Sequence, residues 1–417
     1  MFLTLAALSL PIATPSQTIR TRRLSESRVL VYDRRVELGI GMHGMPDEHL
    51  ARVKALGIRL VRHTMYWAQI ETTEEPGLYD ADALAQWDDL VRRCNEQGIV
   101  LEVVVHQNAP GCSYENRAES YARFARFMGD MSKRYPSIRY WELWNEMDGA
   151  FTDLFGARAG IPLVERGKLY AEMLKLAAPA IRAANPNALI LTGGMTDVGD
   201  FPRGIYEAGG REDFDIMNIH TYGVPVVWAF IARGLAVRDV MDEFGDHDKP
   251  LWNTEFGIDA GNLVGAWGYP HDRGKEDAET LDALHKAQWE ACLNAALEQG
   301  IYQKILPYQY SAGNERNDDG EIETKTNLPD GLAIHDFGFG IVRSDGITPR
   351  PTYDWLKALQ FNAWMNDEPR PTEVWLTGLG NLRPVGYEWD QRDRAVVVKG
   401  IDLQAGGDAL VQLGAEN

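Results

Sequence analysis

Three cysteines in 417 residues are too few for a disulfide framework, and none has CxxC spacing. Cys94 and Cys292 fall in helix-like patterns and Cys112 in a loop, which reads as three free thiols. No run of about 18 apolar residues exists, so no transmembrane helix is expected. Positive charge is also scarce. The 42 Lys and Arg against 61 Asp and Glu leave a net charge of −19. That balance argues against nucleic acid or an anionic membrane as partner, since both need a basic face. Low-complexity tracts are absent, and no GxGxxG turn follows a strand-like run. The opening "MFLTLAALSLPIATPSQ" is apolar but has no basic residue before Arg20. If residues 1–16 are a signal peptide, the protein is secreted or periplasmic. If they are retained, it is cytoplasmic with a packed N-terminal segment.

What is present is globular and aromatic: 45% apolar residues, 12 Trp and 16 Tyr, enough to build a large core. From residue 38 to about 365, short apolar runs alternate with longer amphipathic stretches. The runs are 38–43, 58–64, 99–106, 138–145, 188–194, 214–222, 250–256 and 304–310. The intervening helical patterns cover about 46–57, 80–98, 117–136, 163–185, 224–244, 276–299 and 351–365, with a short, poor helix near 201–212. Eight such cycles predict an α/β fold, a (β/α)8 TIM barrel over 38–365. Beyond about 366 the texture changes to short β runs broken by charged turns. This predicts a small side β-domain over 366–417, with residues 14–37 as candidates to add one or more strands to it.

Two of the runs end alike. "RYWELWNEMDG" (139–149) closes on Asn145, Glu146 and Asp148, and "KPLWNTEFGID" (249–259) on Asn253, Thr254 and Glu255. Such residues are expensive to bury, and at the C-terminal ends of barrel strands they would meet at one rim, where active sites sit. Glu146 ends the fourth run and Glu255 the seventh, so they would face each other across the mouth. Two carboxyl groups flanking a scissile bond are what glycoside hydrolysis requires. One must be protonated and the other ionised. Arg62 and a hydrogen bond from Tyr222 would keep Glu255 ionised, while Trp141 and Trp144 would desolvate Glu146 and favour its neutral form. Aromatics near the rim, including Trp67, Trp267, Tyr308 and Tyr310, offer flat surfaces for a sugar ring. Asn145, His106 and His220 offer hydroxyl partners. His43, His106 and His220 also end strands, but a metal-dependent barrel would use a close His pair on one strand, and "MHG" supplies one. No metal or other cofactor is expected.

With those residues in order, the chain resembles the clan A glycoside hydrolases. Its texture is most like family 39, the β-xylosidase and α-L-iduronidase family, with family 5 close behind. The resemblance rests on "WELWNEMD", "LWNTEFG", "NIHTYG", "LVRHTMYWAQIE" and "FGFGIVRSDGITPRPTYDWLKAL". It implies a retaining, metal-independent enzyme acting on an oligosaccharide or other β-glycoside. Glu146 would be its acid/base, Glu255 its nucleophile, and Asn145 the partner of the substrate 2-hydroxyl. Arg62 and Tyr222 would hold the nucleophile, and His106, His220 and His43 would line the sugar subsite. The eighth run reads "ILPYQYSAG" where the clan commonly has a Trp platform, so Tyr308 or Tyr310 would stand in for it. The acidic stretch 317–323 reads as a solvated loop or a Ca²⁺ loop. Arg316 and Lys325 would suit a uronic acid. Two other classes stay open on sequence: a barrel that binds carbohydrate without turnover, and a metal-dependent hydrolase or isomerase.

Overall fold

The computed structural model describes residues 36–149, 153–223, 226–247, 249–257, 278–311, 339–343 and 345–363, with seven further strands as backbone. The chain divides into two compact units, residues 35–367 and residues 1–34 with 368–417.

In the smaller unit, β1 (Arg20–Ser25) and β2 (Arg28–Tyr32) form an antiparallel pair. β2 also pairs antiparallel with β15 (Ala395–Lys399), Tyr32 opposite Ala395, and β15 with β14 (Tyr387–Asp390). A second sheet has the order β13 (Asn381–Pro384), β12 (Glu373–Gly378), β16 (Leu410–Gly414).

The larger unit is a (β/α)8 barrel. Its strands are β3 (Glu37–Leu38) with β4 (Ile40–Gly41), then β5 (Leu60–Tyr66), β6 (Val100–His106), β7 (Tyr140–Asn145), β8 (Leu189–Gly194), β9 (Met217–His220), β10 (Leu251–Phe256) and β11 (Lys304–Pro307). All neighbouring pairs are parallel. Two sheets emerge, β4-β5-β6-β7-β8 and β3-β11-β10-β9. They join at both seams. Gly39 alone separates β3 from β4, and parallel bridges Leu191↔Ile216 and Met195↔Ile219 link β8 to β9.

Parallel neighbours need a crossover, and amphipathic helices supply it. The helix Ala81–Gln97 shows why these segments are helical. Asp80 caps it by accepting from the Ala83 N–H at 2.8 Å, and Gly98 ends it at φ 68°. Leu84, Leu90, Val91 and Cys94 form its buried stripe. The poor helix is real but short, Asp200–Glu207 followed by a 3₁₀ turn.

Alternation along the strands creates two cores. Val61, Trp141, Ile190, Met217, Leu251 and Ile305 point outward into the large strand–helix core. Their neighbours Leu60, Tyr140, Leu191, Ile216, Trp252 and Leu306 form a separate cluster inside the ring. Two residues further along the strands, the inward positions turn polar: Arg62, Glu142, Asn218 and Thr254, all buried.

Candidate active site

Arg62, on β5, organises the upper barrel interior. Its Nε and Nη2 donate to the two Glu142 oxygens at 2.9 Å each. Nη2 also donates to Asn145 Oδ1 at 2.8 Å, and Nη1 to Glu255 Oε1 at 2.5 Å. The bidentate pair locks the guanidinium plane, so its free edge is aimed at Glu255. The Tyr222 hydroxyl donates to the other Glu255 oxygen at 2.8 Å.

Glu146 lies beside this group. His220 Nδ1 is 2.9 Å from its Oε1 and 3.7 Å from Glu255 Oε2, so one imidazole spans the two acids. His220 Nε2 meets the Thr254 hydroxyl at 3.3 Å, and Thr254 accepts from Asn218 at 2.7 Å. Gly194 makes room: a Cβ there would sit 1.9 Å from His220 Nε2. The backbone is bent to deliver Glu146, with Trp144 at φ 77° and Glu146 at φ 43°. Bulky residues in this region are strained, and such strain gathers at functional sites. Asp148, the last polar residue of the stretch, ties the loop down. Its Oδ2 accepts from the Thr196 N–H at 2.8 Å and hydroxyl at 2.9 Å, and from the Asp197 N–H. Arg166 clamps the carbonyls of residues 147, 148 and 149.

The charges follow from these contacts. Burial pushes Glu255 up, but the His220 and Arg62 charges and the Tyr222 hydrogen bond outweigh it and hold the carboxyl down at about 2. Burial pulls His220 down, and the Glu255 charge with the Glu146 hydrogen bond raise it above the ordinary histidine value. His106 is pushed down to about 4, by burial first and then by the Arg62 charge. Near neutral pH it is an uncharged imidazole, able to donate one hydrogen bond and accept another.

Asn145, Arg62, His220 and Tyr222 therefore converge on the two glutamates. His106 is half-buried at the end of β6, its ring against the edge of Tyr66. Tyr308 is half-buried, hydrogen-bonded to exposed His43 at 2.8 Å and packed edge-on against Phe339. Two aromatics expected at the sugar subsite are elsewhere. Trp67 is fully buried, packed on Phe124 and Phe127, with its N–H on Glu71 at 2.7 Å. It starts a short helix instead of extending the strand, which turns its ring into the core. Tyr310 is buried against His49, with its hydroxyl on the Gly346 carbonyl. Tryptophan desolvation of Glu146 is also corrected. The Trp144 ring packs on Phe124 and Phe155 in the helix layer, and Trp141 belongs to that same core. Trp267, Arg316, Lys325 and the 317–323 stretch lie outside the described residues.

Sequence reasoning missed Glu142 and Glu102, both fully buried. The signal was there: each is an acid at an inward position of an otherwise apolar strand, which demands a buried partner.

Glu146, His220 and Glu255 each offer a ligand atom within 4.8 Å of the others, the spacing of a cation site. Both Glu255 oxygens, however, already accept from Arg62 and Tyr222. A guanidinium 2.5 Å from the same carboxylate opposes a second cation, so the set fits a metal poorly. Among the described residues, no helix is long and apolar enough to cross a membrane.

Comparison with known proteins gives the family and the fold. A family model described as "Cellulase (glycosyl hydrolase family 5)" matches residues 41–300. Among solved structures, the chain is similar to GH5_18 from Streptomyces cattleya (TM-score 0.56, 15% identity, 82% of this chain and 83% of that one). It is also similar to a family 39 glycoside hydrolase from Bacteroides cellulosilyticus (0.54, 15%, 89% and 82%). A third is a monomeric β-xylosidase from Caulobacter crescentus (0.55, 17%, 86% and 75%). At these identities the likeness shows a shared fold. A curated glucosylceramidase from Cryptococcus neoformans is 39% identical over 62 residues, only 15% of this chain and 8% of that protein. Family 39 led on sequence texture with family 5 behind it; both appear among the structural relatives, and the family model decides. The chain belongs to glycosyl hydrolase family 5 and is a retaining clan A glycoside hydrolase.

Proposed function

We propose that Glu255 is the nucleophile and Glu146 the acid/base of a double displacement on a β-glycoside. One observation carries the reading. The two carboxyl groups offer oxygens within 4.8 Å of each other, share His220, and differ in that Glu255 alone is also held by Arg62 and Tyr222 among the hydrogen bonds described. That spacing suits direct attack and leaves no room for the intervening water an inverting enzyme needs. Glu255 is gripped by a guanidinium and a phenol and stays ionised. Glu146 meets an imidazole instead.

In the first step Glu146 gives its proton to the leaving oxygen as that bond breaks. A Glu255 oxygen forms the new bond to the anomeric carbon. The ester has lost the Glu255 charge, and Glu146 is now a carboxylate. In the second step Glu146 takes a proton from water, whose oxygen attacks the same carbon and releases Glu255. Two inversions give retention. Asn145 Oδ1 faces Arg62, which has no acceptor, so its amide N–H groups are left for the substrate 2-hydroxyl. Neutral His106, and Tyr308 with His43, line the sugar subsite.

Azide separates the roles. Glu255→Ala should abolish turnover of an aryl β-glycoside, with azide restoring it as the inverted α-glycosyl azide. Glu146→Ala should give the β-glycosyl azide. The opposite pairing of products would exchange the two assignments. Trapping with a panel of 2-deoxy-2-fluoro glycosides, read by peptide mass, should label Glu255 and reveal the preferred sugar. A label on any other residue would reject the assignment.

A further inference from the structure

Double displacement makes no use of Glu102, yet its carboxyl lies in the centre of the machinery. It is fully buried on β6, level with Arg62 on β5. The nearest cationic atom is Arg62 Nε at 3.5 Å. That N–H is already given to Glu142, and three more guanidinium N–H groups go to Glu142, Asn145 and Glu255. Among the described residues neither Glu102 oxygen receives a hydrogen bond from a donor group. Its close neighbour is another acid, Glu142: the same Arg62 Nε lies 3.5 Å from a Glu102 oxygen and 2.9 Å from a Glu142 oxygen. An ionised carboxylate here would carry a desolvation penalty that no donor offsets, beside a like charge. A proton shared between the two acids removes both problems.

We propose that Glu102 is a positioning residue of the glycosidase: it keeps a resident proton, donates it to the Glu142 carboxylate, and through that bond fixes the Arg62 fork that holds Glu255. The proposal rests on the reading of Glu255 as nucleophile. The charged and titratable groups facing Glu102 are Arg62 from β5, Glu142 from β7 and Glu255 from β10, with His220 of β9 4.0 Å from Glu142. Burial, then the Glu142 charge, raise Glu102 well above the carboxylate range; at Glu142 burial is outweighed by Arg62, His220 and the Glu102 hydrogen bond together, which lower it. The arrangement has a purpose. With Glu102 neutral, one guanidinium serves two carboxylates. A third negative charge would compete for Arg62 and loosen its grip on the nucleophile. When Glu255 becomes an ester, Arg62 and Glu142 remain as a neutral pair.

Two variants test this on whichever aryl β-glycoside the wild type hydrolyses fastest. Glu102→Leu removes the donor; kcat should fall about tenfold or more with KM little changed, and the acid limb of the pH profile should move up. Glu102→Gln keeps shape and donor without charge, and should restore kcat/KM to within about threefold with both limbs within about 0.3 of wild type. Infrared difference spectra, wild type minus Glu102→Gln at pH 7, should contain a protonated carboxylic acid band whether or not Glu102→Leu folds. Absence of that band, or a downward move of both limbs in Glu102→Gln, would mean that Glu102 is ionised and overturn the proposal. An unmoved profile in folded Glu102→Leu would reduce Glu102 to a space-filler and overturn it too. The infrared reading needs no turnover. If fluoroglycoside labelling misses Glu255 while the band persists, the nucleophile assignment has failed and the shared proton has not.

Discussion

The same strands that build the apolar cluster in the lower barrel also build the polar site above it. In the lower layer, Leu60, Leu191, Ile216 and Leu306 pack with Tyr140 and Trp252. In the upper layer, Arg62, Glu142, Asn218 and Thr254 occupy the next inward positions. Step length along a strand is all that separates them, yet they do opposite things. The lower layer contributes stability through burial of apolar area, which is non-directional and tolerant of detail. The upper layer holds charges whose desolvation roughly cancels their attraction. What it supplies is direction: a guanidinium that can face only one way, and an imidazole between two acids. A charged pair does occur at the bottom. Lys304 meets Glu37 at 2.5 Å and lies about 5 Å over the Tyr140 and Trp252 rings. There the aromatic faces disperse the charge, and among the described residues Glu37 is the acid paired with Lys304.

If the division is real, substitutions in the two layers should separate activity from stability. The largest effect belongs to Arg62→Lys. An ammonium cannot bridge Glu142 bidentately and reach Glu255 as well, so kcat/KM should fall about 10³-fold, roughly 4 kcal/mol of transition-state stabilisation. The melting temperature should change little. Comparable losses of both quantities would mean that the polar layer is structural.

Leu306→Ala is the converse. Leu306 is fully buried in the lower cluster, and truncation should cost about 2–5 kcal/mol in denaturant unfolding. Activity per folded molecule should stay within about threefold, since Leu306 belongs to the apolar cluster and not to the polar layer that holds the acids. A tenfold loss would show that the layers are mechanically coupled. Gly194→Ala falls between these in size. The added methyl overlaps His220, and a displacement of that ring near 1 Å should lower kcat/KM about 10²-fold. Serial truncation of His220 on this background should then add little.

Much of this was legible in the sequence because periodicity reports which face a residue occupies. Eight cycles of strand-like and helix-like patterning give the barrel, and placing acids at strand ends brings Glu146 and Glu255 to one rim. What periodicity cannot report is depth and local torsion. Glu102 and Glu142 alternate correctly, but a Glu inside an apolar run does not say which partner awaits it across the ring. Trp67 follows the strand by one residue, and the turn into a helix sends it outward. Trp144 is in phase for the interior, yet its positive φ rotates the ring onto Phe124 and Phe155. Tyr308 and Tyr310 differ by two residues, and only the contacts of each show that the first stays half-exposed beside His43 while the second is sealed on Gly346.

The smallest change probes the upper layer most cleanly. Tyr222→Phe deletes a single hydroxyl, the donor to Glu255 Oε2. That bond favours the ionised carboxylate, so its loss must raise the Glu255 pKa from its depressed position near 2. A shift of about one unit corresponds to about 1.4 kcal/mol. Because Glu255 must be ionised to attack, the acid limb of kcat/KM should move to higher pH by about that amount, and the plateau should fall about tenfold. Stability carries the same sign. A carboxyl lowered in the folded state stabilises above its ordinary range, near 4.5, and loses that contribution as pH falls toward 2. With the hydroxyl gone, the loss still begins near 4.5 but is smaller and ends at higher pH; because less stability is present at neutral pH to start with, acid unfolding should start earlier in Tyr222→Phe than in the wild type. An acid limb that stays in place would mean that Arg62 and His220 fix the charge of Glu255 alone, leaving Tyr222 only to orient it.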